Sequence, residues 1–258
     1  MLDKAIKIEC YQNMANYKKP SSIQVQESFK LPPYSTVIGM IHKVCDFKEY
    51  KPMQISIQGN SKSSLTDMFT RYFFGIKYDP TRHLLWAKND NSFDGITRGL
   101  GYAELIVDVD LIIHVIPEDE NLFDTILNGL KKPLIYPALG RHEDILRIDK
   151  IDAVELENTD EITLENDAYI PLNILEKIDG KIAGTVYNLN KVFSINEKTN
   201  IRYWKEKVKV KYIKSGEEFR FKEFIKKEKY IKSGTVFYFN EDETIKKEKN
   251  SNIGLFLA

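Results

Sequence analysis

Apolar and polar residues alternate in four segments of the first 156 residues, as they do in half-buried β-strands. The pattern predicts strands over residues 5–11, 54–58, 103–116 and 148–156. In the third strand, apolar side chains occupy one face and polar side chains the other. The apolar face holds Leu105, Val107, Val109, Leu111, Ile113 and Val115, and the polar face holds Glu104, Asp108, Asp110 and His114.

Two further segments carry apolar residues at helical spacing, which predicts two amphipathic helices. The first begins after the Pro32-Pro33 pair, because these prolines prevent an earlier start, and the Ser35 hydroxyl can cap its first turn. The second covers residues 119–130. Both helices therefore connect predicted strands.

The order strand, helix, strand, strand, helix, strand is that of a ferredoxin-like fold, in which both helices lie on one face of the sheet. We therefore predict an α+β protein with a ferredoxin-like (RRM-like) domain over residues 1–150, whose other sheet face is open to a ligand. A long excursion at about residues 59–100 interrupts this domain and is expected to carry function. Residues 151–258 predict a β-rich C-terminal part.

The 38 basic and 38 acidic residues of the 258-residue chain cancel, but their distribution is uneven. Residues 201–232 carry twelve lysine and arginine residues against five acidic ones. Because phosphate contacts are local, a basic surface is enough for a nucleic-acid binder. Alternating lysine and glutamate residues are also typical of a solvated surface hairpin. The segment is therefore either a nucleic-acid-binding surface or a solvated hairpin, and both interpretations stay open. The cations of this predicted hairpin are Arg202, Lys205, Lys207, Lys209 and Lys211.

Several functions are made improbable by what the sequence lacks. Cys10 and Cys45 lie in apolar patterns, and the four histidines are scattered, so neither a disulfide framework nor a metal site is expected. No apolar run is long enough to span a bilayer, and no signal peptide is expected. There is no P-loop, dinucleotide-binding motif or nucleophile elbow. We expect a soluble, cytoplasmic protein without a cofactor.

Three segments have a recognisable residue pattern. The first runs from Tyr17-Lys18-Lys19-Pro20 to Leu31-Pro32-Pro33-Tyr34-Ser35 at the start of the first helix, and the second is Gly101-Tyr102-Ala103-Glu104-Leu105. The third, which is the most specific, is the loop Tyr136-Pro137-Ala138-Leu139-Gly140-Arg141-His142-Glu143-Asp144. In order and spacing, these segments resemble the CRISPR-associated Cas5 family, type I-B, over residues 1 to about 150.

This resemblance implies a repeat-associated RNA-binding fold with a thumb insertion, which the excursion at 59–100 would supply. It implies a non-catalytic subunit of a type I-B Cascade surveillance complex in antiviral defence. Such a subunit caps the repeat-derived 5′ handle of CRISPR RNA. The implied partners are this RNA, the backbone subunit, the large PAM-reading subunit and, indirectly, the target DNA, with no membrane.

The candidate RNA-binding residues follow from local chemistry and from this resemblance. Gly140 lets backbone N–H groups approach a phosphate, while Arg141 adds a bidentate donor and His142 a hydrogen bond. On this interpretation, replacing Arg141 by Ala would weaken RNA binding and barely change stability. The other candidates are Tyr17, Lys18 and Lys19 before the first helix, Tyr34 and Ser35 at its start, and Lys62, Arg71 and Arg98 in or beside the excursion.

The alternative function is a metal-independent endoribonuclease that processes repeat RNA, as the resemblance implies for the type I-C branch. Such an enzyme needs a base near the 2′-hydroxyl and an acid at the leaving oxygen. His142 or His42, together with a tyrosine and a lysine, are the candidates for these roles. No spacing in the sequence forces those groups together.

Overall fold

A computed structural model of the chain describes residues 3–90, 92–159, 161–176, 182–215, 235–238, 244–251 and 253–258. Antiparallel strands dominate these residues, and there are few helices. The strands are β1 (Lys4–Ala15), β2 (Val25–Gln26), β3 (Met53–Lys77), β4 (Leu85–Asn89), β5 (Ser92–Pro117), β6 (Arg147–Thr159), β7 (Glu161–Leu164), β8 (Asp167–Pro171), β9 (Thr185–Asn196), β10 (Ile201–Ile213), β11 (Thr235–Tyr238) and β12 (Ile245–Glu248). The helices are α1 (Tyr34–Val44), a 3-10 turn (Glu120–Leu122), α2 (Phe123–Lys131) and the short α3 (Leu172–Leu175).

Among the described residues, ten strands form one sheet with the order β12-β6-β1-β5-β3-β8-β10-β9. Strands β2 and β4 pair with β5 off this path, and β7 and β11 form a separate pair. Strands from both sides of residue 150 therefore share a sheet. No helix in these parts of the chain is long and apolar enough to cross a membrane.

The centre of the sheet consists of four antiparallel strands in the order β6, β1, β5 and β3. One row of isoleucines crosses all four, because Ile8 lies opposite both Ile151 and Ile113, and Ile113 lies opposite Ile57. Helices α1 and α2 contact each other, so they lie on the same face of the sheet. Their buried side chains join the isoleucines in the main core.

Helix α1 begins two residues earlier than a Ser35 cap requires. Pro33 occupies the N-cap position with extended backbone, and no side chain caps the helix. Ser35 already lies within the first turn, where its hydroxyl cannot accept the hydrogen bonds of an N-cap residue. The prediction that Ser35 caps this helix is therefore wrong.

The excursion is a long β-hairpin, which we call the arm and define as residues 60–110. Strands β3 and β5 leave the core together, and their pairing continues from Asn60–Asp110 to Lys77–Asp94. The core part of β3 is buried, whereas almost every side chain beyond Gly59 is exposed or half-buried. Because the arm is held by strand pairing rather than by a core of its own, it projects from the sheet.

The hydrophobic alternation of β5 changes phase at Asp108, whose φ of 51° lies in the left-handed region. C-terminal to Asp108, Val109 and Ile113 face the main core. N-terminal to Asp108, the fully buried residue of this core is Ile106. The prediction that Val107 belongs to the core face is therefore wrong. Strand β1 shifts in the same way, since Gln12 and Ala15 are buried with two exposed residues between them.

C-terminal residues cover the other face of the sheet beside β3 and β5. The fully buried His114 lies 2.7 Å from a Glu248 carboxylate oxygen, which also pairs with the Lys7 ammonium. The Phe256 N–H donates to the Ser56 hydroxyl at 3.0 Å. The prediction of an open sheet face is wrong at this place, because the C-terminal strand and tail occupy it.

The predicted basic hairpin is formed by β9 and β10 at one end of the sheet. Leu189 and Val210 face the main core, and the lysines of β10 alternate with such inward positions. Residues 216–232, which also belong to the basic segment identified in the sequence, lie outside the described residues.

Candidate nucleic-acid interface

Asn16, at the end of β1, joins three parts of the chain. Its backbone N–H donates to the Asp144 carboxylate at 2.9 Å. Its side-chain amide donates to the carbonyl oxygens of Gln26 at 2.8 Å and Glu104 at 2.7 Å. The loop at 136–146, the segment 16–30 and the base of the arm therefore meet at one residue, and we call this place the junction.

Asp144 organises the loop that contains Gly140 and Arg141. Its side chain is 2% exposed and accepts from the backbone N–H of Arg141 at 2.9 Å as well as from Asn16. The Arg141 guanidinium donates to the same carboxylate through Nε and NH2, the latter at 2.7 Å. These bonds explain a buried carboxylate, because each lone pair has a partner with a positive or partly positive charge.

Gly140 is required by this geometry. Its φ of +104° lies in the left-handed region, and a Cβ there would stand 2.8 Å from the Asn16 carbonyl oxygen and 2.7 Å from the Asp144 carboxylate. The glycine thus permits the close approach of the loop to β1. The structure thus gives Gly140 a role in the approach of the loop backbone to the Asn16 backbone, and its contact with a phosphate stays a prediction.

The Arg141 charge is largely compensated within the protein. Besides Asp144, its NH1 lies 3.0 Å from a Glu143 carboxylate oxygen. The hydrogen bond to Asp144 and the nearby carboxylates of Glu143 and Asp67 raise the pKa of Arg141. A phosphate would have to compete with these carboxylates, so Arg141 is first a residue that positions Asp144. The exposed His142 beside it lies with its Nδ1 2.8 Å from a Glu143 carboxylate oxygen.

A second carboxylate ties segment 16–30 to the arm. Glu104 accepts from the Ser28 N–H at 3.0 Å and from the Lys30 ammonium at 3.2 Å. Burial alone would raise the pKa of Glu104, but these two donors lower it below its usual range. In addition, β2 runs parallel to β5 with Val25 opposite Tyr102. The segment that bears Lys18 and Lys19 is therefore fixed against the arm.

The two candidate tyrosines are inside the protein. Tyr17 is 1% exposed, and its hydroxyl donates to Gln12, whose amide in turn donates to the carbonyl oxygens of Leu139 and Asp144. Tyr34 is fully buried against Tyr169. Contacts of Tyr17 or Tyr34 with RNA are contradicted, because neither ring is accessible; both contribute to the core. The hydroxyl of Ser35, in the first turn of α1, is half-buried.

The candidate cations are placed differently. Lys18 is exposed, whereas Lys19 pairs with Glu27 at 3.2 Å. On the arm, Lys62 lies 3.3 Å from Asp108, and Arg71 lies over the Phe69 ring on the face that also carries Gly101. Arg98 is exposed on the opposite face, where it lies across from Tyr72. The structure therefore divides the arm cations between its two faces.

The arm face that carries Arg98 is apolar and exposed. Successive cross-strand pairs on this face are Met68 with Tyr102, Thr70 with Leu100, and Tyr72 with Arg98. Met68, Leu100 and Tyr72 are each more than half exposed. Exposed apolar side chains grouped on one face of a hairpin are typical of a contact site.

Three of the histidines have structural partners. The His42 Nδ1–H donates to the Ile38 carbonyl at 2.8 Å, and its Nε2 accepts from the Lys51 N–H at 2.9 Å. His83 accepts from the Asp79 N–H, and His114 is buried against Glu248. Burial lowers the pKa of His42. Both ring nitrogens of His42 are thus hydrogen-bonded to the backbone.

The residues that build the junction were missed by sequence reasoning. Gln12 and Asn16 follow the predicted strand over residues 5–11, where polar residues are common, and Glu104 fits the polar face of another predicted strand. Glu104 and Asp144 lay within segments that carry the family resemblance, but neither was given a role there. The polar Gln12 in an otherwise apolar series of β1 was the one available signal, since a buried amide must find partners.

The sequence and the fold resemble those of known proteins. A sequence profile of the family described as CRISPR-associated protein (Cas_Cas5) matches residues 5–215. No curated protein matches the sequence significantly. The chain resembles one in a structure described as a CRISPR RNA-guided surveillance complex, with a TM-score of 0.50, 17% identity, and coverage of 81% of this chain and 89% of that one. It also resembles a CRISPR protein from Archaeoglobus fulgidus, with a TM-score of 0.50, 8% identity and coverage of 99% of each chain.

Proposed function

The chain belongs to the CRISPR-associated Cas5 family, and from this premise we propose that it binds the repeat-derived 5′ handle of CRISPR RNA. It does so as a non-catalytic subunit of a Cascade surveillance complex, of the type I-B class. The family profile spans residues 5–215 and so includes the junction, the arm and most of the sheet. The order β6, β1, β5, β3 with two helices on one face supports a ferredoxin-like core over residues 1–150.

The observation that carries this proposal is the junction at Asn16. It brings the exposed Lys18, the exposed His142 and the base of the arm to one end of the sheet through bonds made by buried groups. A rigid support of this kind holds surface cations in place before the ligand arrives, which lowers the entropy cost of binding. We assign the RNA contact to Lys18 and His142, and not to the buried tyrosines or to Arg98, which lies opposite Tyr72 on the apolar face of the arm.

The arm provides the surface for neighbouring subunits. Its exposed face with Met68, Tyr72 and Leu100 is too apolar to be explained by solvation. We assign this face to the backbone subunit, while the large subunit binds elsewhere on the chain. Target DNA is then reached only through the assembled complex.

A non-catalytic role is supported by the positions of the histidines. His42 has both ring nitrogens bonded, and His114 is buried. His142 is 98% exposed, and among the described residues neither a tyrosine nor a lysine hydrogen-bonds to it. A general base needs a positioned imidazole, and this one is held only by Glu143.

The test is a binding titration of the purified chain with RNA that carries the repeat-derived handle and with a scrambled RNA of the same length. We expect tighter binding of the handle RNA, with Lys18→Ala weakening it. Equal affinity for both RNAs would overturn handle recognition. The same mixtures, incubated with EDTA and resolved on a gel, report cleavage; site-specific scission lost in His142→Ala would identify the chain as an endoribonuclease.

A further inference from the structure

The β9–β10 hairpin has one face outside the main core, and the pairing register defines which residues share it. This face ends at Ile213, which belongs to a second core with Ile170 and Ile182. Leu189 and Val210 point into the core, so the adjacent residues Asn188, Asn190 and Lys209 point away from it. Directly opposite residues of an antiparallel pair share a face. On this outer face, Val186 pairs with Lys211, Asn188 with Lys209, and Asn190 with Lys207.

The outer face continues past an irregularity in the register near Glu206. Val192 is 8% exposed and points inward, so its neighbour Phe193 points outward and is 44% exposed. Phe193 lies opposite Trp204, and Ile195 opposite Arg202. The two aromatic rings meet edge to face with centroids 6.3 Å apart, and the Arg202 guanidinium lies 4.2 Å from the Phe193 ring centroid.

The charge on this face has one sign. Arg202, Lys207 and Lys209 are exposed, and none of the residues paired with them is acidic. Glu206 belongs to the inward-facing series and pairs with Lys191. Among the residues that the structure describes, no carboxylate forms an ion pair with Lys207 or Lys209. A solvated hairpin would be expected to alternate its charges here, as the surface around Arg147 and Asp149 does.

We propose that this outer face binds single-stranded nucleic acid without base specificity. The lysines would neutralise phosphates along the strand, and the Phe193–Trp204 pair with Arg202 would stack against bases. Asparagines 188 and 190 supply neutral donors between the cations. The site lies in the β-rich part of the chain, separate from the junction, so it does not depend on recognition of a handle sequence.

The test uses the full chain and labelled homopolymers of deoxythymidine and of uridine, which contain no handle. Fluorescence anisotropy titrations at several salt concentrations measure affinity and its salt dependence. We expect Lys207→Ala/Lys209→Ala to weaken binding at least about fivefold and to reduce the slope of log K against log salt by about 1.4, since two phosphate contacts to a single strand are removed. Phe193→Leu should weaken binding about fivefold or more with an unchanged slope, because it removes stacking and no charge.

Two matched controls replace similar side chains elsewhere: Lys131→Ala/Lys132→Ala at the exposed end of α2, and Tyr136→Leu, which is 86% exposed. Thermal unfolding followed by circular dichroism verifies that all variants fold. If the hairpin variants lose affinity for only one homopolymer, that homopolymer identifies the ligand as RNA or as DNA. If they lose affinity for both, the face binds single strands in general. The proposal is overturned by a wild-type chain that binds neither homopolymer, by hairpin variants that bind as the wild type does, or by equal losses in the controls.

Discussion

The backbone N–H of Asn16 donates to the buried carboxylate of Asp144 at 2.9 Å, although 128 positions separate the two residues. This bond fixes the end of β1 to the loop after α2. It also means that Asp144 serves two partners, since the same carboxylate receives the backbone and guanidinium donors of Arg141. The stability of the loop should therefore depend more on Asp144 than on any exposed residue in it.

Replacement of Asp144 by Ala should destabilise the protein by about 2–4 kcal/mol, because it removes a charged acceptor and leaves buried donors unpaired. Urea unfolding followed by circular dichroism measures the change. The control is Asp149→Ala, whose carboxylate pairs with Arg147 at the surface and should cost about 0–1 kcal/mol. A similar small effect for both variants would contradict the structural role of Asp144.

Arg141→Ala should also lower stability, by about 1–3 kcal/mol, since it leaves the Asp144 carboxylate with fewer donors. The sequence alone suggested a loss of RNA affinity with stability unchanged. Arg141→Lys distinguishes the two roles, because a lysine keeps the charge but cannot form the bidentate contact. We expect the lysine variant to recover little stability in the same urea titration; full recovery would show that charge alone matters.

Tyr34 and Tyr169 are both fully buried, but their hydroxyl groups differ. The Tyr169 hydroxyl donates to the Leu31 carbonyl at 2.6 Å, whereas that of Tyr34 has no partner among the described residues. Tyr169→Phe should therefore cost about 1 kcal/mol, and Tyr34→Phe should be neutral or slightly stabilising. Thermal and urea unfolding of the two variants compare them directly. A larger loss for Tyr34→Phe would show that its hydroxyl is bonded.

Stability should fall on acidification, in part through His42. Burial lowers its pKa below the ordinary value of 6.5, and protonation of Nε2 would break its bond with the Lys51 N–H. The unfolded chain thus takes up the proton first, so this contribution is complete above about pH 6.5 and is lost as the pH falls toward the pKa of the folded state. Urea unfolding between pH 7.5 and pH 5.5 tests it. His42→Gln should be less sensitive to pH than the wild type, and an identical pH dependence would contradict the assignment.

Shortening the arm should preserve the core and abolish assembly. Thr70 lies opposite Leu100, so residues 71–99 can be replaced by an Asn-Gly turn that closes the same strand pair. The removed side chains are mostly exposed, and thermal stability should change little. Co-purification on a tagged backbone subunit measures assembly; full occupancy by the shortened protein would remove the arm from the interface.

The order of the central strands and helices could be predicted from the sequence because each element carries its own hydrophobic period. Isoleucines 8, 57 and 113 each mark a strand without reference to the others. The junction could not be predicted, because Asn16, Glu104 and Asp144 acquire their roles only when distant backbone groups meet them. The burial of Tyr17 and Tyr34 could not be predicted either, because a tyrosine ring is equally suited to stacking on a base and to filling a core. The C-terminal cover over His114 was missed because a short polar strand gives no sign of which face it will occupy.

The left-handed residue Asp108 has a consequence for how the arm finds its pairing. A hairpin of this length has many alternative registers during folding, and in a uniform alternation a slip by two residues keeps every apolar side chain on the correct face. The change of phase at Asp108, matched by the two exposed residues in β1, removes that degeneracy. If the strands slip by one residue, the two faces are inverted. If they slip by two residues, the change of phase lies opposite the wrong residue of the neighbouring strand. The arm is therefore aligned from its base, and misregistered hairpins are disfavoured before the tip has formed.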